Sequence, residues 1–370
     1  MNKLEISKED LKFNIASLKN IINNSKKDDN GNKLEVIAVV KGNAMGLGLT
    51  PFSKFLLDNG IRILAVANLE ELVALREAKI DSEILMLTPT SNEKELKLLI
   101  ENKATITIGS LEELEIAEKI LEDHDLEINA HIKIDTGLGR YGFLSDNTDI
   151  LDCFEKAKRV HIKGMYTHFS KPIDERWTRQ QFNRFLDVVA GVKSSGYTPG
   201  ILHVCATTAF LKYPEMHLNA VRLGSYFQGR VLVKDLALKK IGTYKTVVQE
   251  IKTVSKGYNI SYSNAYKTRK ETKIATIPTG YMNGLAKKKV RDSFSFKDNI
   301  ISVLMEIKKI FKDNSFKVEI NGKEYKIIGR IGMYHAEVDI TGSDVKVGDE
   351  VIIKTISPLE ISENIKREYN

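Results

Sequence analysis

Cysteine is almost missing from this 370-residue chain, which has two, and tryptophan occurs once and proline seven times. Two thiols, Cys153 in a helix-like segment and Cys205 in a β-like run, exclude a disulfide-stapled scaffold. Two buried thiols in a reducing compartment is the expectation. No apolar stretch approaches the length of a membrane span, so no membrane partner is expected. The first residues, MNKLEISKEDLKFNIASLKN, carry charges throughout and lack the apolar core of a signal peptide, which makes the cytoplasm the expected location. Charge of one sign is missing as well. Lysine and arginine number 56 against 49 acids, a net of +7, and the densest basic run, Lys287 to Lys289, is short and has no interleaved aromatics. Nucleic-acid binding is therefore not expected. Internal repeats are absent, and the one biased segment is the lysine-rich turn from Asn23 to Lys33.

What is present is the composition of a globular protein, 42% apolar and 28% charged. Short apolar runs alternate with amphipathic ones. The strand candidates are Leu34 to Lys41, Ile63 to Ala67, Ile84 to Leu87, Thr105 to Ile108, Glu127 to Asp135, His161 to Phe169, Ile201 to Ala206 and Ala220 to Leu223. Between them lie helical windows such as Leu69 to Ala78, Asn92 to Asn102, Leu111 to Leu121 and Thr178 to Ser194, several opened by a capping Ser or Thr. Eight βα units predict an α/β fold, a closed (β/α)₈ TIM-type barrel, with a doubly wound open sheet as the alternative because periodicity does not reveal closure.

After Gly229 the rhythm changes to short β-like runs (YKTVVQEIKTV, TKIATIP, FKVEING, YKIIGRIGM, DEVIIKT) and one helical patch near Phe296 to Met305. The expected organisation is a barrel over 8–238 followed by a mostly β domain over 239–370, with residues 1–7 pairing with the second.

Chemistry in a barrel sits at the carboxyl ends of its strands. The run Glu35 to Leu49, EVIAVVKGNAMGLGL, is a β-branched strand, then Lys41, then a loop with three glycines. That order holds an amine rigidly at a pocket floor. Arg140 follows the fifth strand candidate, His168 lies near the end of the sixth, Thr207 follows the seventh, and Gly224 with Ser225 follows the eighth. Polar and glycine positions thus converge on one rim.

KGNAMGLG, KIDTGLGRYG, YTHF, the ATTA segment before KYPE, NAVRLGS, IPTGYMNG and GRIGM occur in an order and spacing that resemble the alanine racemases. The resemblance covers nearly the whole chain. It implies a pyridoxal 5'-phosphate enzyme that interconverts L- and D-alanine, working as a homodimer whose active site is shared between subunits. Lys41 matches the lysine that joins the cofactor through its amine and serves as base on one face of the substrate. Tyr281 matches the base on the opposite face, supplied by the second subunit. Racemisation needs proton exchange on both faces of a planar carbanion, so two bases of separate origin make physical sense.

By the same resemblance Arg222 faces the cofactor's ring nitrogen, and Thr207, Gly224 and Ser225 cradle its phosphate. His168 lies under the ring. Arg140 steers the substrate carboxylate, helped by the backbone amide of Met333 from the partner subunit. Lys133 falls where many members carry a carbamylated lysine; from the residues alone it could equally be a lysine paired with Asp135. The chain departs from the family pattern at Met45, where tyrosine is common, at Ala206 for asparagine, at Tyr334 for aspartate, and at Asn283 and Leu285 after the catalytic tyrosine. Racemisation of serine, ornithine or lysine, a decarboxylase of the same architecture, and a non-catalytic cofactor-binding protein are the alternatives these departures leave.

Overall fold

The computed structural model describes residues 2–25, 31–233, 236–287, 296–310 and 315–370. The lysine run at 287–289 lies largely outside them, as does part of the Asn23 to Lys33 turn. Two compact units divide the chain, one of Lys8–Ile241 and one of Met1–Ser7 with Gly242–Asn370.

In the first unit eight parallel strands follow one another: β1 (Glu35–Val39), β2 (Ile63–Val66), β3 (Glu83–Met86), β4 (Ile106–Ile108), β5 (Ile128–Asp135), β6 (Val160–Tyr166), β7 (Ile201–Ala206) and β8 (Ala220–Leu223). Each pairs with its sequence neighbours, and β8 returns to β1 with Val221 opposite Val36. Between β3 and β4 the seam closes through Met86 N–H to Thr105 C=O at 2.9 Å and Thr105 N–H to Ile84 C=O at 2.9 Å. The sheet is therefore a closed barrel, and the open-sheet alternative falls away. Ile37, Ala65, Leu85 and Ala220, from four adjacent strands, form a buried interior cluster with Val39, Ile63 and Leu87 packed on it. Each large aliphatic side chain buried this way stabilises the fold by roughly 1.5–3 kcal/mol.

The helices start where the sequence predicts, but their caps differ from the expected Ser or Thr. Asn68, Asn92 and Asp174 accept the backbone N–H three residues on, and among the barrel's described helices Ser110, in a capping box with Glu113, is the Ser that does so. Asx side chains perform the same task of satisfying the first-turn donors. Asp174 also starts its helix at Glu175, three residues ahead of the predicted Thr178. Both cysteines are buried free thiols.

Among the described residues the second unit holds a nine-stranded sheet and a small two-stranded one, Asn259–Ile260 with Tyr266–Lys267. The N-terminal strand Lys3–Ile6 lies between Thr243–Val247, antiparallel to it, and Lys366–Tyr369, parallel to it. Lys366–Tyr369 and Ala336–Asp339 are strands the periodicity did not reveal, each being only four residues long. The helical patch extends over Phe296–Ile310. Among the described residues no helix is long and apolar enough to cross a membrane.

Candidate active site at the barrel mouth

A cavity of about 660 Å³ opens at the carboxyl ends of the barrel strands. Lys41, Lys133, Arg140, His168, Thr207, Arg222, Gly224 and Ser225 all line it. Eight residues drawn from five βα junctions thus share one space. Tyr281 and Met333 belong to the other unit.

Lys41 stands two residues past β1. Val40 N–H, bonded to Ala65 C=O at 2.8 Å, anchors the strand end, and the chain then winds through Gly42, Asn43, Ala44 and Met45 with positive φ. The sequence places Lys41 at the end of a strand; it begins a left-handed turn instead. Burial, with Arg140 next and Arg222 further, lowers the Lys41 amine below the ordinary lysine range, while Glu71 opposes the shift.

Arg140 sits on a loop organised by Asp135, whose carboxylate accepts from the backbone N–H groups of Gly137 at 2.9 Å, Leu138 at 2.8 Å and Arg140 at 3.0 Å. Asp135 is thus engaged in building the loop. Lys133, two residues earlier on β5, is buried and lies over the Tyr166 ring at 4.8 Å. Desolvation, then the Arg222 and Arg140 cations, push its amine down to about 7, with Asp135 opposing.

Arg222 on β8 is the electrostatic hub. Its guanidinium donates to His203 Nδ1 at 2.6 Å, to the carbonyls of His203 at 2.7 Å and Thr167 at 2.6 Å, and to His168 Nδ1 at 3.3 Å. Because each histidine accepts at Nδ1, each carries its proton on Nε2. His203 Nε2 in turn reaches His131 Nδ1 at 2.7 Å, so the chain Arg222, His203, His131 has one fixed proton order. Burial is the first cause and Arg222 the second for all three histidines: His168 falls to about 3, His131 to about 4, and His203 well below its usual value. Arg222 itself is lowered by burial to about 10 and remains a cation at neutral pH.

The eighth strand ends at Leu223, and Gly224 follows. A Cβ there would displace the Met45 methyl group and come within 3.2 Å of the Val39 carbonyl, so glycine leaves this floor open where a side chain would crowd it. Thr207 Oγ1 lies 3.5 Å from the Gly224 amide. Met45, where the family pattern has tyrosine, covers this floor with a thioether in place of a hydroxyl.

In the second unit Gly280 approaches the backbone of Gly332 and Met333 so closely that any side chain would be blocked. Tyr281 N–H bonds to Gly332 C=O at 3.1 Å and Met282 N–H to Met333 C=O at 3.0 Å. Asn283, buried, accepts from Gly280 N–H at 3.0 Å and closes the short turn. Tyr281 and Met333 are thereby neighbours, 44% and 48% exposed, with Tyr334 beside them at 51%. Two motifs about fifty residues apart in sequence meet on one surface.

Sequence reasoning missed His131, Tyr166, His203 and Glu71. The first three carried a usable signal, since inward-facing strand residues recur with period two. His131 precedes Lys133 by two positions, and Tyr166 precedes His168 by two. Tyr166 stacks on His203 and its hydroxyl lies 2.9 Å from Thr107 Oγ1, completing the packing beneath the cations.

The histidine chain makes the fold acid-sensitive. Three histidines are held neutral in the folded state, whereas an unfolded chain protonates them below pH 6.5, so between about 4 and 6.5 the unfolded state binds more protons. Stability therefore rises with pH across that window and is lost as pH falls through it. Thermal unfolding followed by circular dichroism is expected to show this slope in the wild type and a shallower one in His131→Gln; equal slopes would remove His131 from the account.

A closed barrel whose mouth gathers two lysines and two arginines, in one chain with a β domain presenting an exposed tyrosine, defines a class of barrel enzymes centred on an amine at the barrel mouth. Residues 6–230 match the family model of the alanine racemase N-terminal domain, and residues 241–366 that of its C-terminal domain. An alanine racemase of Clostridium tetani is 33% identical over 362 residues, covering 94% of this chain and 84% of the relative. One of Methanococcus maripaludis is 31% identical over 359 residues, covering 94% and 87%. The solved structure of alanine racemase from Clostridium difficile 630 superposes with a TM-score of 0.85 at 27% identity, over 100% of this chain and 95% of that one. The chain belongs to the alanine racemase family and is an amino-acid racemase, an isomerase, which bears out the resemblance read from its motifs.

Proposed function

We propose that the protein interconverts L- and D-alanine with pyridoxal 5'-phosphate held in the barrel mouth, as a cytoplasmic homodimer in which each site receives Tyr281 and Met333 of the partner subunit. The observation that carries this reading is the meeting of Lys41, Lys133, Arg140 and Arg222 in one cavity of a chain from this family.

The residues present fit the cofactor. The floor at Gly224, which a Cβ would fill, leaves the backbone amides of Gly224 and Ser225 and the Thr207 hydroxyl for a phosphate, and the arginines supply cationic walls. When bound, pyridoxal phosphate supplies the electron sink that acidifies the α-carbon of an attached amino acid. Lys41, its amine lowered from the ordinary lysine range, exchanges a proton at Nζ on one face. The Tyr281 phenol does so on the other, and its exposure on its own unit suits delivery to a second subunit. Arg140 and the Met333 amide fix the substrate carboxylate. Arg222, a cation fastened by its histidine and carbonyl acceptors, opposes protonation of the cofactor's ring nitrogen and so restrains side reactions such as transamination. His168, which lines the same cavity, would pack against the cofactor ring. The reading is tested by α-proton exchange in D₂O with a panel of L-amino acids and chiral analysis of the products; alanine is expected to yield its D-enantiomer, and exchange confined to serine, ornithine or lysine would reassign the substrate.

Lys133 is proposed to carry a carbamate that orients Arg140. Its amine, lowered to about 7, is neutral above that pH and free to add to carbon dioxide, and the Arg222 and Arg140 cations favour the resulting anion. Protein equilibrated with ¹³C-bicarbonate is expected to show one carbamate resonance that grows as pH rises through 7 and is missing in Lys133→Met. A resonance that persists in the variant would place the carbamate elsewhere.

A further inference from the structure

The turn that carries Lys41 is unusual in its backbone. Gly42, Asn43 and Ala44 have φ/ψ of 66/48, 55/49 and 53/44°, and Met45 has φ 53°. This is a full turn of left-handed helix, closed by Ala44 N–H to Val40 C=O at 2.7 Å and Gly46 N–H to Gly42 C=O at 2.9 Å. L-residues resist this conformation by roughly 1–2 kcal/mol each, so three consecutive non-glycine residues persist only where the surroundings impose it.

The imposing group is Glu71. It occupies the third position of the helix Leu69–Glu77, after the Asn68 cap. The equivalent residue of the helix Leu111–His124, Glu113, folds back on the amides of Ser110 and Gly109 in a capping box. Glu71 instead reaches across to the neighbouring βα loop. Its Oε1 accepts from Gly42 N–H at 2.5 Å and Asn43 N–H at 3.2 Å, and its Oε2 lies 3.3 Å from the Ala67 amide. Side-chain burial, 8% exposed, keeps water from competing for these donors. Asn43 Oδ1 completes the clamp by accepting from Leu49 N–H at 2.7 Å.

We propose that Glu71 is the positioning residue of Lys41: by clamping the two amides after Lys41 it fixes the left-handed turn that aims the amine into the cavity. This rests on the reading of Lys41 as the reactive amine. The charged groups that act on Lys41 are Arg140 and Arg222, which lower its basicity, and Glu71, which raises it; Lys133 and His168 also share the site. With two arginines against it, the amine relies on Glu71 for anionic support.

The titration arm of the test uses the cofactor-free protein, so it stands apart from whether pyridoxal phosphate binds as proposed; the capture arm is read against the wild type, whose own failure to capture would count against the proposed function and not against Glu71. Lysines are reductively methylated with ¹³C-formaldehyde, the Lys41 signal is assigned by its loss in Lys41→Ala, and its shift is followed with pH. Glu71→Gln keeps an oxygen for the clamp and removes the charge; the Lys41 midpoint is expected to fall by about one pH unit. Glu71→Asp keeps the charge at a shorter reach. In it the midpoint is expected to stay near that of the wild type while the rate at which Lys41 captures added pyridoxal phosphate, read by absorbance, drops about tenfold. An unchanged midpoint in Glu71→Gln, or an unchanged capture rate in Glu71→Asp, would reduce Glu71 to a loop brace and overturn the proposal. If Glu71→Gln does not fold, as judged by circular dichroism, Glu71→Asp alone decides, on its capture rate.

Discussion

Replacing Lys41 with alanine is expected to lower alanine racemisation by about 10⁴-fold, the largest effect of any single substitution in this protein. On the proposed function two roles would end together: the covalent hold on the cofactor and proton exchange on one face. The cavity itself should survive, since Lys41 makes no buried hydrogen bond that the barrel depends on and the turn after it is held through backbone amides to Glu71. The measurement is solvent-deuterium exchange at the α-carbon by NMR with chiral chromatography of the product. Borohydride reduction followed by peptide mass spectrometry is expected to find pyridoxyl mass on the peptide containing Lys41 in the wild type and none there in the variant. Racemisation retained in Lys41→Ala, or label on another lysine, would move the reactive amine away from the strand end.

Tyr281→Phe is expected to lower racemisation by about 10²- to 10³-fold with an asymmetry no other residue should produce. Removing one phenolic hydroxyl takes away the base on a single face. Deuterium should then still enter from the enantiomer served by Lys41, with its configuration retained, while exchange from the other enantiomer collapses. Folding is not at risk, because Tyr281 is 44% exposed and its turn is held by Gly280, Asn283 and the Gly332 carbonyl. Equal loss from both enantiomers would mean that Tyr281 shapes the pocket and is not a base. Carbon dioxide release from a basic amino acid would favour the decarboxylase alternative, which has no use for a second face. Mixing inactive Lys41→Ala with inactive Tyr281→Phe provides a further reading of the same residue: if the two come from different subunits, mixed dimers regain sites that pair an intact Lys41 with an intact Tyr281.

Much of this was legible along the chain because it is local. The eight apolar runs mark the barrel strands to within three residues at every end, since strand patterning is a period-two signal. Lys41, Arg140, His168, Thr207 and Gly224 stand out in the sequence because they lie at or beyond the carboxyl ends of strand candidates, where a barrel concentrates its chemistry. Caps were read less well, as Asn and Asp serve where Ser and Thr were expected, and these residue types share one hydrogen-bonding function. The edge strand Lys366–Tyr369 was invisible because its pairing with Lys3–Ile6 joins opposite ends of the sequence.

The sequence by itself determined the alternation of strands and helices, the family, and the side chains offered at the barrel's rim. Tertiary structure decided whether the sheet closes, and it does so through the seam between β3 and β4, two hydrogen bonds that no periodicity encodes. It also decided the charge state of the site. Lys133 and His168 are ordinary residues in sequence; their low basicity comes from burial beside Arg222, which reaches them only because β5, β6 and β8 curve around one interior. Composition counts charges, but the work of holding them close together out of water belongs to the fold.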